Sequence, residues 1–335
     1  MQKKEPKLRD ALASTSNHIA LSVADIAQHA ELLAAATSEN TRRTYRSAIR
    51  HYLQWGGVLP ADATILVRYL MAHLERHNPR TLSLRLTALS QWHIQQGFPD
   101  PAADITVRKT MSGISRLHGT PKKKAKALPL EDLIKIVINL NASDTLKAKR
   151  DNALLQLAFF GGFRRSEISQ LEMTQVEQES QGITITLRRS KTDQSGEGIS
   201  RAIPYGNDEC CPASALQEWL KAAKITSGPI FRKINRWGQL SEKAISPASV
   251  NSILADCADT AGLTYAPELS SHSLRRGMAT SAYRAGADFR EIKRQGGWRH
   301  DGTVHGYIEE ASRFTNNAAG LLLEKQGTKK SLIDR

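Results

Sequence analysis

The chain has 335 residues, with 47 Lys and Arg against 33 Asp and Glu and a formal net charge of +14. That length allows two separate cores, and the positive surplus points to a polyanionic partner, with nucleic acid ranked ahead of a membrane surface. No apolar run approaches the ~18 residues of a membrane span, the charged Met1–Asp10 is followed by no signal-like apolar stretch, and Cys210, Cys211 and Cys257 make neither a disulfide framework nor a C-x-x-C metal site. The ten histidines show no ligand spacing with cysteines or acids. No metal, no cofactor and no membrane partner are therefore expected, and a reduced cytoplasmic setting fits.

Residues 1–22 are polar and weakly periodic and read as an N-terminal arm. A short helix is expected over Val23–Ala36, and Ser38 is placed to cap the next one. Within Asn40–Trp55, Arg42, Arg46 and Arg50 recur every fourth residue beside a stripe of Tyr45, Ile49, Tyr52 and Leu53. This pattern fits an ordinary amphipathic surface helix. It equally fits a phosphate-facing one, since a row of arginines without matching acids suits a polyanion. Pro60–Arg76 is the next predicted helix, with Ile65, Tyr69 and Leu74 inward, and Asn78-Pro79 interrupts it. Arg80–Gln96 turns Leu82, Leu86 and Leu89 to the core. Its other side, Ser83, Thr87, Ser90 and Gln91, is small enough to approach base edges in a major groove. A helix over Pro101–His118 completes an all-helical domain, 23–118. Residues 119–129 then form a Pro- and Gly-punctuated linker carrying Lys122, Lys123, Lys124 and Lys126. Such a cluster can be a localisation signal; between two DNA-binding lobes, a basic linker lying on the duplex is the better reading.

The second domain, 130–335, opens with apolar-periodic helices over Leu130–Leu140 and Asp151–Phe160. Gly161-Gly162 then frees the chain so that Arg164 projects from a helix edge. Gly182–Arg189 alternates as a strand and Ile199–Ile203 returns antiparallel to it, which puts Lys191 at a hairpin tip. Taken alone, Lys191 is a solvated surface lysine. Helices follow over Pro212–Lys224 and Pro247–Ala261, separated by a basic stretch, Pro229–Arg236, anchored by Phe231. In Ser271–Glu310, His272 and Arg275 lie one helical turn apart, ahead of the apolar positions Leu274, Met278, Ala282 and Ala285. Gln295-Gly296-Gly297 breaks the chain before Trp298, and a last helix carries Tyr307. Leu321, Leu322 and Leu323 near the end want an apolar pocket, in their own core or a neighbour's.

Each of these residues is bland by itself; their combination is not. His-x-x-Arg, a Gly-Gly-Trp turn and a Tyr nine residues after Trp298 resemble the C-terminal signature of the tyrosine recombinases, the lambda-integrase family. Trp298, where most members carry His, is closest to the Cre-like branch. Gly162-Phe163-Arg164-Arg165-Ser166-Glu167-Ile168 is similar to the family's first-arginine motif, and Arg188-Arg189-Ser190-Lys191-Thr192 lies where the family keeps its lysine.

The resemblance implies a mainly α fold: an all-helical N-terminal DNA-binding domain plus a mixed α+β catalytic domain with a small antiparallel sheet, closing on DNA as a C-shaped clamp. It implies a catalytic set of Arg164, Lys191, His272, Arg275, Trp298 and Tyr307, supported by Glu167. It adds Arg80 to the DNA contacts expected from Arg42, Arg46, Arg50, Ser83, Thr87 and Lys122–Lys124. The implied activity is site-specific recombination of double-stranded DNA at inverted-repeat targets, by a homotetramer on two sites that passes through a 3′-phosphotyrosine and a Holliday junction. The chemistry agrees with the residue types. Planar guanidiniums hold phosphate oxygens in pairs, fixed cations stabilise charge that develops on them, and a tyrosine nucleophile conserves the ester bond for rejoining. A type IB topoisomerase uses a similar residue set, and a DNA-binding protein with a vestigial site is the non-enzymatic alternative.

Overall fold

The computed structural model describes residues 28, 31–32, 36–121, 124–187, 198–207, 209–312, 318–320 and 322–323. The expected arm, most of the helix over Val23–Ala36, and Leu321 fall outside these residues. The chain separates into two compact units, Met1–Lys122 and Lys123–Arg335, each with its own apolar cluster. Among the described residues no helix is long and apolar enough to cross a membrane.

The described part of the first unit is helical, and its helix starts are set by polar caps. The Ser38 hydroxyl accepts from the Thr41 N–H at the start of α1 (Glu39–Gln54). Asp62 accepts from the Ile65 N–H at the start of α2 (Ala63–His73), so this helix begins three residues later than Pro60. Asn78 caps α3 (Pro79–Gln95), with Pro79 in the first turn, where its missing N–H costs nothing. The single helix expected over Pro101–His118 is broken. Pro101–Ala103 is a 3-10 turn, and the Asp104 carboxylate takes the Thr106 N–H at 2.7 Å to start α4 (Ile105–His118).

Tyr52, Leu66, Tyr69, Leu70, Leu82, Leu86, Leu89, Val107 and Ile114 form the core of this unit, with the i, i+4, i+7 spacing of α3 as expected. His93 is buried with both ring nitrogens used. Nδ1 donates to the Leu89 carbonyl at 2.7 Å and Nε2 accepts from the Ala61 N–H at 2.8 Å.

The second unit packs α5 (Leu130–Asn141), α6 (Leu146–Phe160), α8 (Pro212–Ala223), α9 (Pro247–Thr260) and α10 (Ser271–Arg284) around one core, with the short α7 (Arg165–Ser169) after α6. Thr145 caps α6 through the Ala148 N–H, five residues ahead of the expected start. Strands β1 (Val176–Glu179), β2 (Gly182–Leu187) and β3 (Ile199–Pro204) form an antiparallel sheet in chain order. Its register pairs Ile183 with Ile203 and Ile185 with Arg201. The expected basic stretch over Pro229–Arg236 instead contributes a strand. β4 (Arg232–Ile234) pairs with β5 (Leu240–Ala244), and Phe231 just ahead is fully buried. Next come α11 (Phe289–Gly296) and α12 (Asp301–Ala311), and residues 318–320 and 322–323 are again helical. The fold is mainly α with small antiparallel sheets.

One close approach fixes α10. The Leu128 N–H donates to the Ser273 carbonyl at 3.1 Å, which lays the strap before α5 directly on Gly277. A Cβ at Gly277 would sit 1.9 Å from the Leu128 carbonyl oxygen. Gly277→Ala is therefore expected to destabilise the protein by about 1–3 kcal/mol, the usual cost of overpacking. Urea denaturation monitored by far-UV circular dichroism measures this, and an unchanged midpoint would show that the strap yields.

Candidate active site

The site is built where two chain reversals meet a helix. α6 ends at Gly161–Gly162, and Gly162 is in the left-handed region at φ 53°. A side chain there would also collide with Met278. This reversal delivers Arg164 to the N-cap of α7, where Glu167 stands at the third helical position. The Glu167 carboxylate accepts from the Arg164 N–H at 2.9 Å and from Arg164 Nη1 at 2.6 Å, fixing both ends of that residue. Arg201 reaches the same carboxylate from β3 at 3.5 Å and donates to the Gly161 carbonyl at 2.8 Å.

The second element is α10. Arg275 is 5% exposed and donates to the Gly162 carbonyl and, at 3.0 Å, to the Gly296 carbonyl. Its guanidinium carbon lies 4.7 Å from the centre of the Trp298 ring, a cation–π distance. The third element is the left-handed turn at Gly297, φ 61°, which swings Trp298 back under Gly296. Gln295 pins this turn by donating to the Phe160 carbonyl at 2.9 Å and the Ala202 carbonyl at 3.1 Å. On α12, Tyr307 meets Trp298 edge-on, with centroids 5.7 Å apart at 67°, and the Arg276 guanidinium carbon stands 5.3 Å from the Tyr307 ring.

The electrostatics follow from burial. Desolvation alone would raise the Glu167 carboxyl, but the nearby Arg201 and Arg164 charges and the hydrogen bonds from Arg164 outweigh it and hold the group below its ordinary value. Burial, then repulsion from Arg164 and Arg201, push Arg275 down to about 9. It is still cationic at neutral pH, in a place where an anion would relieve that repulsion. Arg164, Glu167, Arg275, Trp298 and Tyr307 thus belong to one contiguous arrangement. His272 sits on α10 one turn before Arg275 with its side chain exposed. Lys191 lies outside the described residues.

The expected DNA contacts divide differently. The reading of Arg42 and Arg46 as arginines without matching acids is corrected. Glu39 accepts from Arg42 at 2.7 Å and from Arg46 at 2.9 Å, because positions three and seven residues apart share one face of α1. These pairs are exposed, so they hold the arginines only weakly. Arg50 is exposed on the same helix. Arg80 donates to the Thr120 carbonyl at 3.2 Å. Ser83 and Thr87 are exposed, with the Thr87 hydroxyl donating to the Ser83 carbonyl. Lys124 is exposed, whereas Lys122 and Lys123 are outside the described residues.

Sequence reasoning missed Arg201. The signal was present: period two puts residues 199, 201 and 203 on one face of β3, so an arginine between two isoleucines had to be buried with a partner. It also passed over His51, His73 and His77, which the fold brings together.

Residues 128–313 match the model of the phage integrase family. An integrase/recombinase XerD homolog of Selenomonas ruminantium is 36% identical over 302 residues, covering 88% of each chain. The tyrosine recombinase XerC of Corynebacterium efficiens is 26% identical, over 88% of this chain and 86% of its own. The fold matches the XerH site-specific recombinase bound to its palindromic difH substrate in a post-cleavage complex, with a TM-score of 0.59 at 19% identity, covering 83% of this chain and 80% of that one. The chain belongs to the phage integrase family, and it is an enzyme of the tyrosine recombinase type.

Proposed function

We propose that this protein is a site-specific DNA recombinase that cleaves and rejoins duplex DNA through a 3′-phosphotyrosine on Tyr307. The observation that carries the reading is the placing of the Tyr307 ring against Trp298 and Arg276, with Trp298 lying on the buried, still-charged Arg275. A phosphodiester entering beside Arg164 and Arg275 has its nonbridging oxygens held by guanidinium donors, with the Trp298 indole N–H as a further donor. The Tyr307 oxygen attacks phosphorus, the bond from phosphorus to the 5′-oxygen breaks, and that oxygen takes a proton from Lys191. His272 takes the phenolic proton. Attack by a 5′-hydroxyl from another strand reverses the sequence and frees Tyr307. No cofactor enters this scheme.

Strand exchange in pairs through a Holliday junction by a homotetramer on two inverted-repeat sites is part of the same proposal. Leu322 and Leu323, 67% and 70% exposed in the single chain, support docking of the last helix on a neighbouring subunit. Arg42, Arg46, Arg50, Arg80, Ser83, Thr87 and Lys122–Lys124 are proposed to line the duplex. In this scheme Glu39 gives up Arg42 and Arg46 to phosphates, an exchange of weak exposed pairs for many-phosphate contacts.

The test is a covalent trap. Wild type and Tyr307→Phe are incubated with end-labelled duplex fragments from around the gene and run on denaturing gels. Label that migrates with the wild-type protein and not with Tyr307→Phe, while both bind DNA, is expected. Covalent label on the variant would remove Tyr307 from the role. Joint products from two labelled duplexes, rather than relaxed plasmid alone, separate recombination from topoisomerase activity.

A further inference from the structure

In the first unit, apart in sequence from the catalytic residues assigned above, three imidazoles converge. His51 comes from the last turn of α1, His73 is the final residue of α2, and His77 lies in the turn beyond it. One ring nitrogen from each falls within 4.8 Å of the others. The turn that presents them is defined: the His77 N–H donates to the His73 carbonyl at 3.1 Å, and the two rings stack at 5.6 Å and 15°. The His51 ring stands edge-on to both, at 4.9 and 5.2 Å.

We propose that His51, His73 and His77 form a binding site for a zinc-class transition-metal ion that braces α1 against α2. Three observations converge on this. The histidines offer a His-x-x-x-His pair plus one imidazole from a second helix, the borderline donor set that zinc accepts. The orientation of two rings is set from outside. His73 Nδ1 is 2.9 Å from the Tyr69 carbonyl, so it carries the proton and leaves Nε2 as the ligand atom. His51 Nδ1 is 2.9 Å from the Tyr69 hydroxyl. A metal-binding histidine is ordinarily fixed in this way, with its remote nitrogen bonded to a carbonyl or hydroxyl. Access is also provided, since His73 is buried while His51 and His77 are half-buried.

Burial, then the Arg85 charge, hold His51 and His77 below the usual histidine range, with Arg76 acting further on His77. Burial likewise raises the Tyr69 phenol, which stays a hydrogen-bond partner and not a ligand. Tetrahedral zinc–imidazole geometry needs nitrogens roughly 3.4 Å apart, so an ion would draw the three rings closer than the 4.8 Å within which they now lie. Arg85 and Arg76 oppose a dication, and no carboxylate belongs to the cluster. An exchangeable ion is therefore expected, and not one whose loss unfolds the chain. Because Arg50 precedes His51 on α1, occupancy would stiffen the helix proposed to face DNA.

The experiment uses the full, untagged chain, stripped with chelator and titrated with ZnCl2 in a calorimeter and with CoCl2 in an absorption spectrometer. The expected result is about one ion per chain, with visible cobalt bands of nitrogen-ligated, four-coordinate type. His51→Gln and His77→Gln, each checked for native circular dichroism, are expected to weaken zinc by at least ~10-fold, and Tyr69→Phe by ~10- to 100-fold through the lost partner of His51. The cobalt spectrum is read on wild type alone, so it stands even if a variant fails to fold. No saturable single-ion step in wild type would overturn the proposal. So would a step whose affinity is unchanged in both histidine variants.

Discussion

Glu167→Ala is expected to cost about 3–5 kcal/mol, because it removes one partner of a buried charge cluster and leaves the other uncompensated. Arg201 is fully buried, and Glu167 is the carboxylate it reaches. The same substitution strips the Arg164 N–H of its acceptor and Arg164 Nη1 of its 2.6 Å ion pair. In a domain of this size the loss corresponds to a melting shift of roughly 6–20 °C. Its pH dependence has a definite sign. The folded state holds the Glu167 carboxyl below its ordinary value of 4.5, so its contribution is fully present above that value and is lost as the pH falls below it. The stability gap between wild type and Glu167→Ala should therefore narrow in acid, which urea titrations at neutral pH and near pH ~3.5 compare directly. A gap of constant size would mean that the loss is one of packing and not of charge.

Arg275→Ala is expected to slow formation of the covalent complex by ~10²–10³-fold, the scale for removing one preorganised donor from a developing oxyanion. Single-turnover cleavage at saturating protein separates this from weaker binding. Arg275→Lys keeps the charge but loses the planar fork that spans the Gly162 and Gly296 carbonyls. It should recover binding better than rate. If Arg275→Lys cleaves as fast as wild type, the guanidinium geometry is not what the reaction uses. Arg275→Ala should also lower stability, since the Gly162 carbonyl loses its donor and the Gly296 carbonyl keeps only Arg201 at 3.5 Å.

Much of this was legible from residue spacing. Arg164 and Glu167 are three apart around a helix start, and the break at Gln295-Gly296-Gly297 shows as a stop before Trp298, so their neighbourhood follows from local rules. The α3 core stripe at Leu82, Leu86 and Leu89 was equally direct. Contacts set by tertiary structure were not. Glu39 lies one turn ahead of Arg42 and was passed over when the arginine row was read as unmatched. The break at Asp104 turns on one carboxylate choosing the Thr106 N–H. The β4–β5 hairpin carries too short and polar an alternation to stand out. Arg201 meets Gly161 and Glu167, and His51 meets His73 and His77, only when β3 packs against the turn after α6 and α1 packs against α2.

The paired anchoring of Arg201 and Arg275 on backbone carbonyls has a thermodynamic consequence. A solvated arginine carries about 2 kcal/mol of rotamer freedom that must be given up when it grips a ligand. Arg275 has given it up already, clamped to the Gly162 and Gly296 carbonyls, as has Arg201, clamped to those of Gly161 and Gly296. Folding has thus absorbed the ordering penalty, so a phosphate that reaches Arg275 meets a stiff receptor and little reorganisation remains for the encounter. The corollary concerns how the protein can change. Because one guanidinium closes the fold and is also the one proposed to hold the phosphate, a substitution there is expected to alter stability and reactivity together, so that selection cannot tune either one alone.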